Sequence, residues 1–248
     1  IFLLLTNVSI PDLESQFLLF AVGGGLAQIL ATVCVILVFK SRNFAVGITL
    51  KKTEVILTAL VGLILIGEGV STISMFLICL GGAGVFFLSK KVSSVDRSNF
   101  SILNKSAVYG LLSGLLFAIS AVCYRSATLS VVSDLVYLRA GFTLLIVILS
   151  QSFVMTIWLA LFEPGQIKLV WLERKKGFWV GVTSLGGSFF WFTAFTLQDA
   201  AYVKAVGQIE LIFSLLITTL FFKERILNRE ILGMLLIGIS ALGLILVV

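Results

Sequence analysis

Two pairs of glutamates stand at the same spacing in two separate stretches of this sequence. Glu54 and Glu68 lie fourteen residues apart near the ends of an apolar run, and Glu210 and Glu224 repeat that spacing 156 positions later. The same shift aligns Gly25 with Gly181, Phe39 with Phe195, Ala45 with Ala201 and Gly82 with Gly238. A carboxylate is costly in a membrane span, so its recurrence indicates a duplicated unit. Duplicated membrane units are typical of transporters, whose substrate site lies between the repeats.

Glu210 is the strongest candidate among the four glutamates for binding a substrate or exchanging a proton. The segment AVGQIELIF places it in the middle of a predicted span, where it must find a cation or take up a proton. We predict Arg139, four residues into the span that begins near 135, as its distant partner. Lys204 and Gln208 are four apart and share another helix face. These side chains could bind a substrate or exchange a proton, and the alternative is a buried ion pair that fixes helix register.

The other three glutamates stand in different contexts. Glu54 matches Glu210 under the shift and is a second binding or proton-coupling candidate, with Lys51 three residues before it and within reach of a local ion pair. Glu68 and Glu224 fall at predicted helix ends. There a carboxylate favours the positive N-terminus of the next helix, so we predict a structural role for both.

Trp191 is a candidate for lining a binding pocket. It belongs to an aromatic cluster that is rich enough to face an organic cation or an amino acid: Phe189, Phe190, Trp191, Phe192 and Phe195. At helical spacing only Trp191 with Phe195, or Phe192 with Phe195, share a face. Most of the cluster is therefore predicted to serve packing or lipid contact.

The composition describes a chain whose main solvent is lipid. Hydrophobic residues make up 59% of the 248 positions, only 12% are charged, and the mean hydropathy is +1.16. Histidine is absent, and the three cysteines stand alone in apolar runs, so we expect no metal site, no cofactor and no enzymatic activity. We also expect no nucleic-acid partner. No phosphate-binding loop is present in the sequence, which predicts that an ion or solute gradient drives any transport.

Eight apolar runs approach the roughly twenty residues that cross a bilayer. They predict an all-α, polytopic bundle with spans near 17–40, 43–66, 72–89, 106–127, 135–161, 177–197, 200–222 and 228–248. Residues 1–89 form the first repeat, which holds its last three helices and the tail of a preceding one. Residues 90–105 connect it to a complete five-helix repeat at 106–248. Because five is odd, the second repeat would insert upside down relative to the first.

Small residues punctuate several of these spans. Gly110 and Gly114 stand at GxxxG spacing, and Gly23 to Gly25 form a run of three. Glycine lets membrane helices approach closely, so we predict that these positions serve helix packing.

The second half of the chain resembles the EamA domain of the drug/metabolite transporter superfamily. The resemblance runs from FFWFTAFTLQDAAYVKAVGQIEL through FFKERILNREILGMLLIGISALGLILVV. It includes Glu224 at the last loop, Gly233 nine residues later, and Gly238 and Gly243 along the final helix. Ala200 and Ala201 begin the preceding helix after a tight turn, as in that family.

The first half of the chain resembles the same family more loosely. Ala45, Glu68 and Gly82 fit, while Leu77 stands where the second copy has Gly233. Together the two resemblances cover residues 17–89 and 106–248. They imply ten helices in two inverted five-helix halves around a central cavity, and a first helix of that cavity that precedes Ile1.

The resemblance also implies a function and a location. The implied function is that of a secondary transporter, which exports a small organic metabolite or drug-like solute. The implied location is the bacterial inner (plasma) membrane, in which the protein spans the bilayer several times. Transport would be coupled to a proton or another ion. A cavity with aromatic walls and one carboxylate suits an amphipathic amine or amino acid, whereas Arg139 and Lys204 favour an anionic metabolite. The alternative is a membrane-embedded receptor or structural protein without transport activity.

Overall fold

A computed structural model describes residues 11–41, 44–89, 105–222 and 228–247. Within these ranges the chain forms eleven α-helices and two short strands. The strands are β1 (Asp12–Leu13) and β2 (Val131–Val132). The helices are α1 (Phe17–Lys40), α2 (Phe44–Lys51), α3 (Glu54–Ile66), α4 (Thr72–Ser89), α5 (Lys105–Leu129), α6 (Val136–Phe162), α7 (Gln166–Leu172), α8 (Arg174–Leu197), α9 (Ala200–Gly207), α10 (Glu210–Phe222) and α11 (Asn228–Val247).

The predicted class, an all-α membrane protein, is confirmed. Among the described residues, six helical stretches are long and apolar enough to cross a membrane. They are Phe17–Lys40, Lys105–Leu129, Val136–Phe162, Arg174–Leu197, Ala200–Ile217 and Asn228–Val247. A shorter apolar helix, Thr72–Leu88, lies where another span is predicted.

Two predicted spans are not the continuous α-helices that we expected. The run 43–66 is interrupted between α2 and α3, and the run 200–222 between α9 and α10. At the first interruption the amide of Thr53 donates to Leu50 O at 3.0 Å, and at the second the amide of Gln208 donates to Ala205 O at 3.1 Å. These bonds span three residues, so the helix tightens locally into 3₁₀ geometry.

Polar side chains lie at both interruptions. Thr53 Oγ1 donates to Leu50 O at 2.7 Å, and Gln208 Nε2 donates to Lys204 O at 3.3 Å. The same kind of bond occurs inside an unbroken helix, where Thr143 Oγ1 donates to Arg139 O at 2.8 Å, so these bonds accompany the breaks without explaining them. The hydropathy of the two apolar runs does not reveal the breaks, because a few polar residues scarcely lower the average.

The two interruptions coincide under the 156-residue shift. Adding 156 to the bounds of α2 (Phe44–Lys51) gives those of α9 (Ala200–Gly207), and the same shift carries α3 onto α10. Glu54 and Glu210 are therefore each the first residue of the helix that follows an interruption. The duplicated carboxylates and the helix breaks belong to the same repeated feature.

The described residues pack into two compact units. The first contains residues 11–26 and 123–198, and the second contains the described parts of 27–122 and 199–247. The predicted connection between the repeats, 90–105, lies almost wholly outside the described residues.

In the first unit, α1, α5 and α6 meet at close range. Gln151 Nε2 donates to Gly25 O at 3.2 Å and lies 3.3 Å from the hydroxyl of Tyr124. A Cβ on Gly24 would lie 2.9 Å from Cβ of Cys123, so glycine is needed for this approach. The unit also holds an antiparallel ribbon that the sequence did not predict, in which β1 pairs with β2.

In the second unit, α4 and α11 pack through glycines. A Cβ on Gly84 would lie 2.8 Å from Gly233 O, and a Cβ on Gly81 would lie 2.6 Å from Ser240 Oγ. Ser240 Oγ also donates to Leu77 O at 2.7 Å. Later residues of α4 contact earlier residues of α11, so the two helices are antiparallel.

These contacts are reciprocal under the 156-residue shift. The shift carries Gly81 onto Ile237 and Gly84 onto Ser240, and the contact of Gly81 with Ser240 has its counterpart in the contact of Gly84 with Ile237. Reciprocal contacts are those that a local two-fold axis produces. The apolar core of the unit lies beside this pair and consists of Val55, Ala59, Ile78, Ala201, Ala205 and Leu244.

Candidate functional site: a lysine–glutamate cluster at two helix breaks

Glu54 is the centre of a charged cluster in the second unit. The residue is 7% exposed, and its Oε1 lies 3.7 Å from Nζ of Lys204. Its Oε2 lies 3.9 Å from Nζ of Lys51, as the spacing of three residues predicts. One buried carboxylate is therefore shared by two lysines.

Glu210 makes the second ion pair of the cluster. Its Oε1 lies 3.6 Å from Nζ of Lys52, and 62% of its side chain is exposed. Within the second unit the cation beside Glu210 is therefore Lys52, which lies in the turn that precedes α3. The predicted partner, Arg139, belongs to the first unit, and its pairing with Glu210 stays a prediction.

The two interruptions place the charges at helix ends that favour them. Glu54 and Glu210 occupy the first turns of α3 and α10, where the helix dipole is positive. Lys51 and Lys204 occupy the last turns of α2 and α9, where it is negative. Each broken helix therefore presents opposite charges on the two sides of its break.

Phe117 of α5 forms an aromatic wall of the cluster. Its ring centroid lies 4.7 Å from Nζ of Lys51 and 5.9 Å from Nζ of Lys204. Both distances are within the range of cation–π attraction, which is worth about 0.5–2 kcal/mol. The ring therefore helps to hold two ammonium groups on one side of Glu54.

The predicted GxxxG packing brings α5 to this position. A Cβ on Gly110 would clash with the backbone carbonyl of Gly47, and a Cβ on Gly114 would lie 2.9 Å from Lys51 O. Glycine at these two positions lets α5 approach the backbone of α2 directly, so packing is confirmed for this motif. Phe117 follows Gly114 by three residues and so faces the same side of α5.

Two buried oxygen atoms of the cluster lack hydrogen bonds. Glu54 Oε2 and Gln208 Oε1 have no hydrogen-bond partner in the structure. The 3.9 Å separation of Glu54 Oε2 from Lys51 Nζ is an ion pair, but it is too long for a hydrogen bond. Gln208 is only 5% exposed. Buried acceptors are nearly always paired in native proteins, so these two are available to a ligand that carries donors.

Four of the six predicted binding candidates belong to this cluster: Glu54, Lys204, Gln208 and Glu210. The other two belong to the first compact unit. There Arg139 Nε donates to Thr128 O at 2.9 Å, and the ring of Trp191 lies 5.8 Å from that of Phe195 at a tilt of 40°.

The two predicted helix-end glutamates have different outcomes. Glu68 follows Gly67, which ends α3 in the left-handed conformation at φ 72°, and the amide of Glu68 donates to Gly62 O at 3.2 Å. The position at a helix end is therefore as predicted. Glu224 lies outside the described residues.

Sequence reasoning missed Lys52 and Phe117 as members of the site. Lys52 aligns with Gln208 under the 156-residue shift, so the repeat itself contained the signal that both belong to a break. Phe117 had a weaker signal, its position one turn beyond Gly114. Its contact with the lysines depends on which helix packs against α5, and the sequence does not specify that.

Comparison with known proteins finds a similar fold but no similar sequence. No known protein family and no curated protein matches the sequence. A solved structure described only as "Crystal structure of protein" aligns with 94% of this chain and 88% of its own, with a TM-score of 0.61 and 15% identity. Identity at that level shows likeness of fold and carries no information about function. The chain is thus similar in fold, over nearly its whole length, to a protein of known structure.

Proposed function

We propose that this protein is a secondary membrane transporter, an exporter of a small organic metabolite or drug-like solute. It would work by alternating access between two inverted five-helix repeats in the bacterial inner membrane. The observation that carries the proposal is the matched pair of broken helices, with a glutamate directly after each break. Broken helices that expose charged ends near the membrane midplane are how many transporters build their substrate sites.

The packing of α4 on α11 supports the inverted arrangement. These helices are the last elements of the two predicted repeats, and they pack antiparallel with reciprocal contacts. An inverted duplication produces this geometry, since its two-fold axis lies in the membrane plane. The resemblance to the EamA domain points to the same architecture.

The ion pairs give the proposed transport cycle a physical basis. In Glu54–Lys204 the first predicted repeat supplies the carboxylate, and in Lys52–Glu210 the second repeat supplies it. Each pair therefore joins the two repeats across a helix break. A ligand or a proton that competes for one of these groups would weaken the link between the repeats and favour the other conformation. The 3₁₀ turns at the breaks are suitable hinges for that change.

Untargeted metabolite profiling tests the proposal. Cells that express the protein are compared with cells that express Glu210→Gln, and solutes are measured both inside the cells and in the medium. A matched control is Glu173→Gln, whose carboxylate is exposed and forms a local ion pair with Lys176 at 2.7 Å. We expect a solute whose distribution shifts with the wild type and with the control but reverts in Glu210→Gln.

The other outcomes are equally informative. A shift that persists in Glu210→Gln at equal expression would keep the transporter and remove Glu210 from its cycle. If no solute shifts in any strain, the transport proposal is wrong.

A further inference from the structure

We propose that the α6–α8 corner, residues 158–179, binds the headgroup of an anionic phospholipid. This corner comprises the end of α6, the short helix α7 and the start of α8, all within the first compact unit. The inference goes beyond the proposed function, because it requires only that the chain spans a membrane. It follows from the position of the corner, the aromatic rings around it and its charge.

The α6–α8 corner lies at one end of two neighbouring spans. A Cβ on Gly141, near the start of α6, would lie 3.5 Å from Cε2 of Phe189 in the second half of α8, so the two helices are antiparallel. They contain 27 and 24 residues, or about 40 and 36 Å at the usual helical rise. The hydrocarbon core of a bilayer is only about 30 Å thick. Both helices are thus long enough to carry the corner into the headgroup region.

Aromatic residues concentrate at this corner. Three of the four tryptophans of the chain, Trp158, Trp171 and Trp179, lie there, and each is exposed. The ring centroids of Trp158 and Phe162 are 5.9 Å apart, and those of Phe178 and Trp179 are 5.6 Å apart. Tryptophan is enriched where hydrocarbon meets headgroups, because its ring is apolar and its N–H needs a polar partner. The rings therefore indicate that the corner lies at the level of the lipid headgroups.

The segment 163–176 carries an excess of positive charge at that level. Its two carboxylates stand against four exposed basic side chains, those of Lys168, Arg174, Lys175 and Lys176. The carboxylate of Glu173 is paired with Lys176 at 2.7 Å. Lys168 and Lys175 form no ion pair within the described part of the chain. A lipid phosphate at this corner would therefore meet two ammonium groups that no carboxylate holds.

Arg174 is already held in place at the corner. Its Nη1 donates to Trp171 O at 3.1 Å, and its guanidinium carbon lies 5.2 Å from the centroid of the Trp171 ring. An arginine that is fixed in this way loses little side-chain freedom when it binds a ligand. Its remaining N–H groups can donate to two phosphate oxygens at once. Arg174 is therefore suited to bind the headgroup phosphate, with Lys168 and Lys175 as additional positive charges.

A second copy of the chain fits the same surface less well. Exposed rings alone would suit a protein interface, but a two-fold dimer built on this corner would bring the basic side chains of both copies together. Like charges that face each other oppose association. An anionic lipid instead covers the rings with its acyl chains and neutralises the cations with its headgroup.

Native mass spectrometry of the purified chain counts the lipids that it retains, and thermal unfolding in detergent micelles measures their binding. The probes are phosphatidylglycerol, phosphatidylcholine with the same acyl chains, and inorganic phosphate. We expect phosphatidylglycerol to be retained, to raise the unfolding temperature saturably and to bind at least about tenfold more tightly than phosphatidylcholine. Added salt should weaken this binding, because it screens exposed charges. Inorganic phosphate, which has no acyl chains, should not raise the unfolding temperature.

Variants locate the binding on the chain. Lys168→Gln combined with Lys175→Gln should weaken the binding of phosphatidylglycerol at least about tenfold, because each basic group near a membrane surface contributes about a factor of five. The matched control combines Lys40→Gln with Lys105→Gln, which removes the same charge from two exposed lysines of the second unit. This control should leave the affinity nearly unchanged. Unfolding temperatures in phosphatidylcholine show that both double variants are folded.

Four results would overturn the inference. Equal retention of the two lipids would show that the corner does not distinguish headgroup charge. Equal weakening by the two double variants would assign the binding to the net charge of the protein. Saturable stabilisation by inorganic phosphate would make the corner a site for a soluble anion. A dimer that persists in phosphatidylcholine and retains no phosphatidylglycerol would assign the surface to a second copy of the chain.

Discussion

Glu54 and Glu210 hold the same position in the two broken helices but differ sharply in burial. The side chain of Glu54 is 9% exposed and lies between two lysines, whereas that of Glu210 is 62% exposed and faces one. The two copies of the repeated element therefore share the helix break and the carboxylate, but they differ in how deeply the carboxylate is buried and in how many lysines lie near it.

We expect Glu54→Gln to destabilise the protein far more than Glu210→Gln. Loss of the Glu54 charge removes a buried carboxylate that lies near both Lys51 and Lys204, and removal of one partner of a buried ion pair costs about 3 kcal/mol. Loss of the exposed Glu210 charge should cost less than about 1 kcal/mol. Reversible unfolding in detergent by a denaturant series measures both. Equal losses for the two variants would show that burial does not distinguish these carboxylates.

Gly110→Ala should disrupt the approach of α5 to α2. The added Cβ would clash with the backbone carbonyl of Gly47, and a backbone atom cannot move aside as a flexible side chain does. Overpacking of this kind costs about 1–3 kcal/mol. Gly181→Ala is the matched control, since nothing lies within 4 Å of a Cβ there and alanine is the better helix former.

Both glycine variants are measured by thermal unfolding at equal detergent concentration. The expected order of unfolding temperatures is Gly181→Ala at or above the wild type and Gly110→Ala clearly below it. A Gly110→Ala protein as stable as the wild type would mean that α5 and α2 are not in backbone contact.

The positions of most helices could be predicted from the sequence, because a membrane-spanning helix depends on the local composition of the chain. The starts of α1 at Phe17 and α4 at Thr72 match the predicted spans, since a long apolar run has few other stable forms in a bilayer. The breaks before Glu54 and Glu210 were missed. Hydropathy does not reveal them, because polar residues such as Thr53 and Gln208 scarcely lower the average of a long apolar run.

The members of the candidate site were predicted where the repeat provided a signal and missed where packing decides. Glu54 and Glu210 stand out because carboxylates in apolar runs are rare, and their neighbours Lys204 and Gln208 follow from helical spacing. The pairing of Glu210 with Lys52 depends on how two broken helices lie against each other. That arrangement is tertiary, and no local pattern in the sequence determines it.

Gly81→Ala and Ser240→Gly should show strong coupling across α4 and α11. The new Cβ at position 81 would lie 2.6 Å from Ser240 Oγ and 3.1 Å from its Cβ, so Gly81→Ala should destabilise the protein by about 1–2 kcal/mol. Ser240→Gly should also destabilise it, through loss of the 2.7 Å bond to Leu77 O. The double variant should be more stable than the sum of the two losses predicts, because the clash is gone.

A double-mutant cycle measures this coupling directly, and contacting residues typically give about 0.5–3 kcal/mol. Additive losses would contradict the antiparallel register of α4 and α11 and, with it, the reciprocal contacts that support the inverted repeat.

Gln208→Leu should stabilise the protein or leave its stability unchanged in the absence of ligand, and it should impair transport. The substitution removes a buried oxygen that has no hydrogen bond and forfeits only the 3.3 Å bond to Lys204 O. An unsatisfied buried acceptor costs about 1–3 kcal/mol, which is more than that long bond contributes.

Gln151→Leu is the control, because its amide bonds both Gly25 O and the hydroxyl of Tyr124 and its loss should destabilise the protein. A residue whose removal improves stability but lowers activity is retained for function. Unfolding temperature and solute export, measured on the same two variants, separate the roles, and a Gln208→Leu protein that is less stable than Gln151→Leu would assign Gln208 to structure.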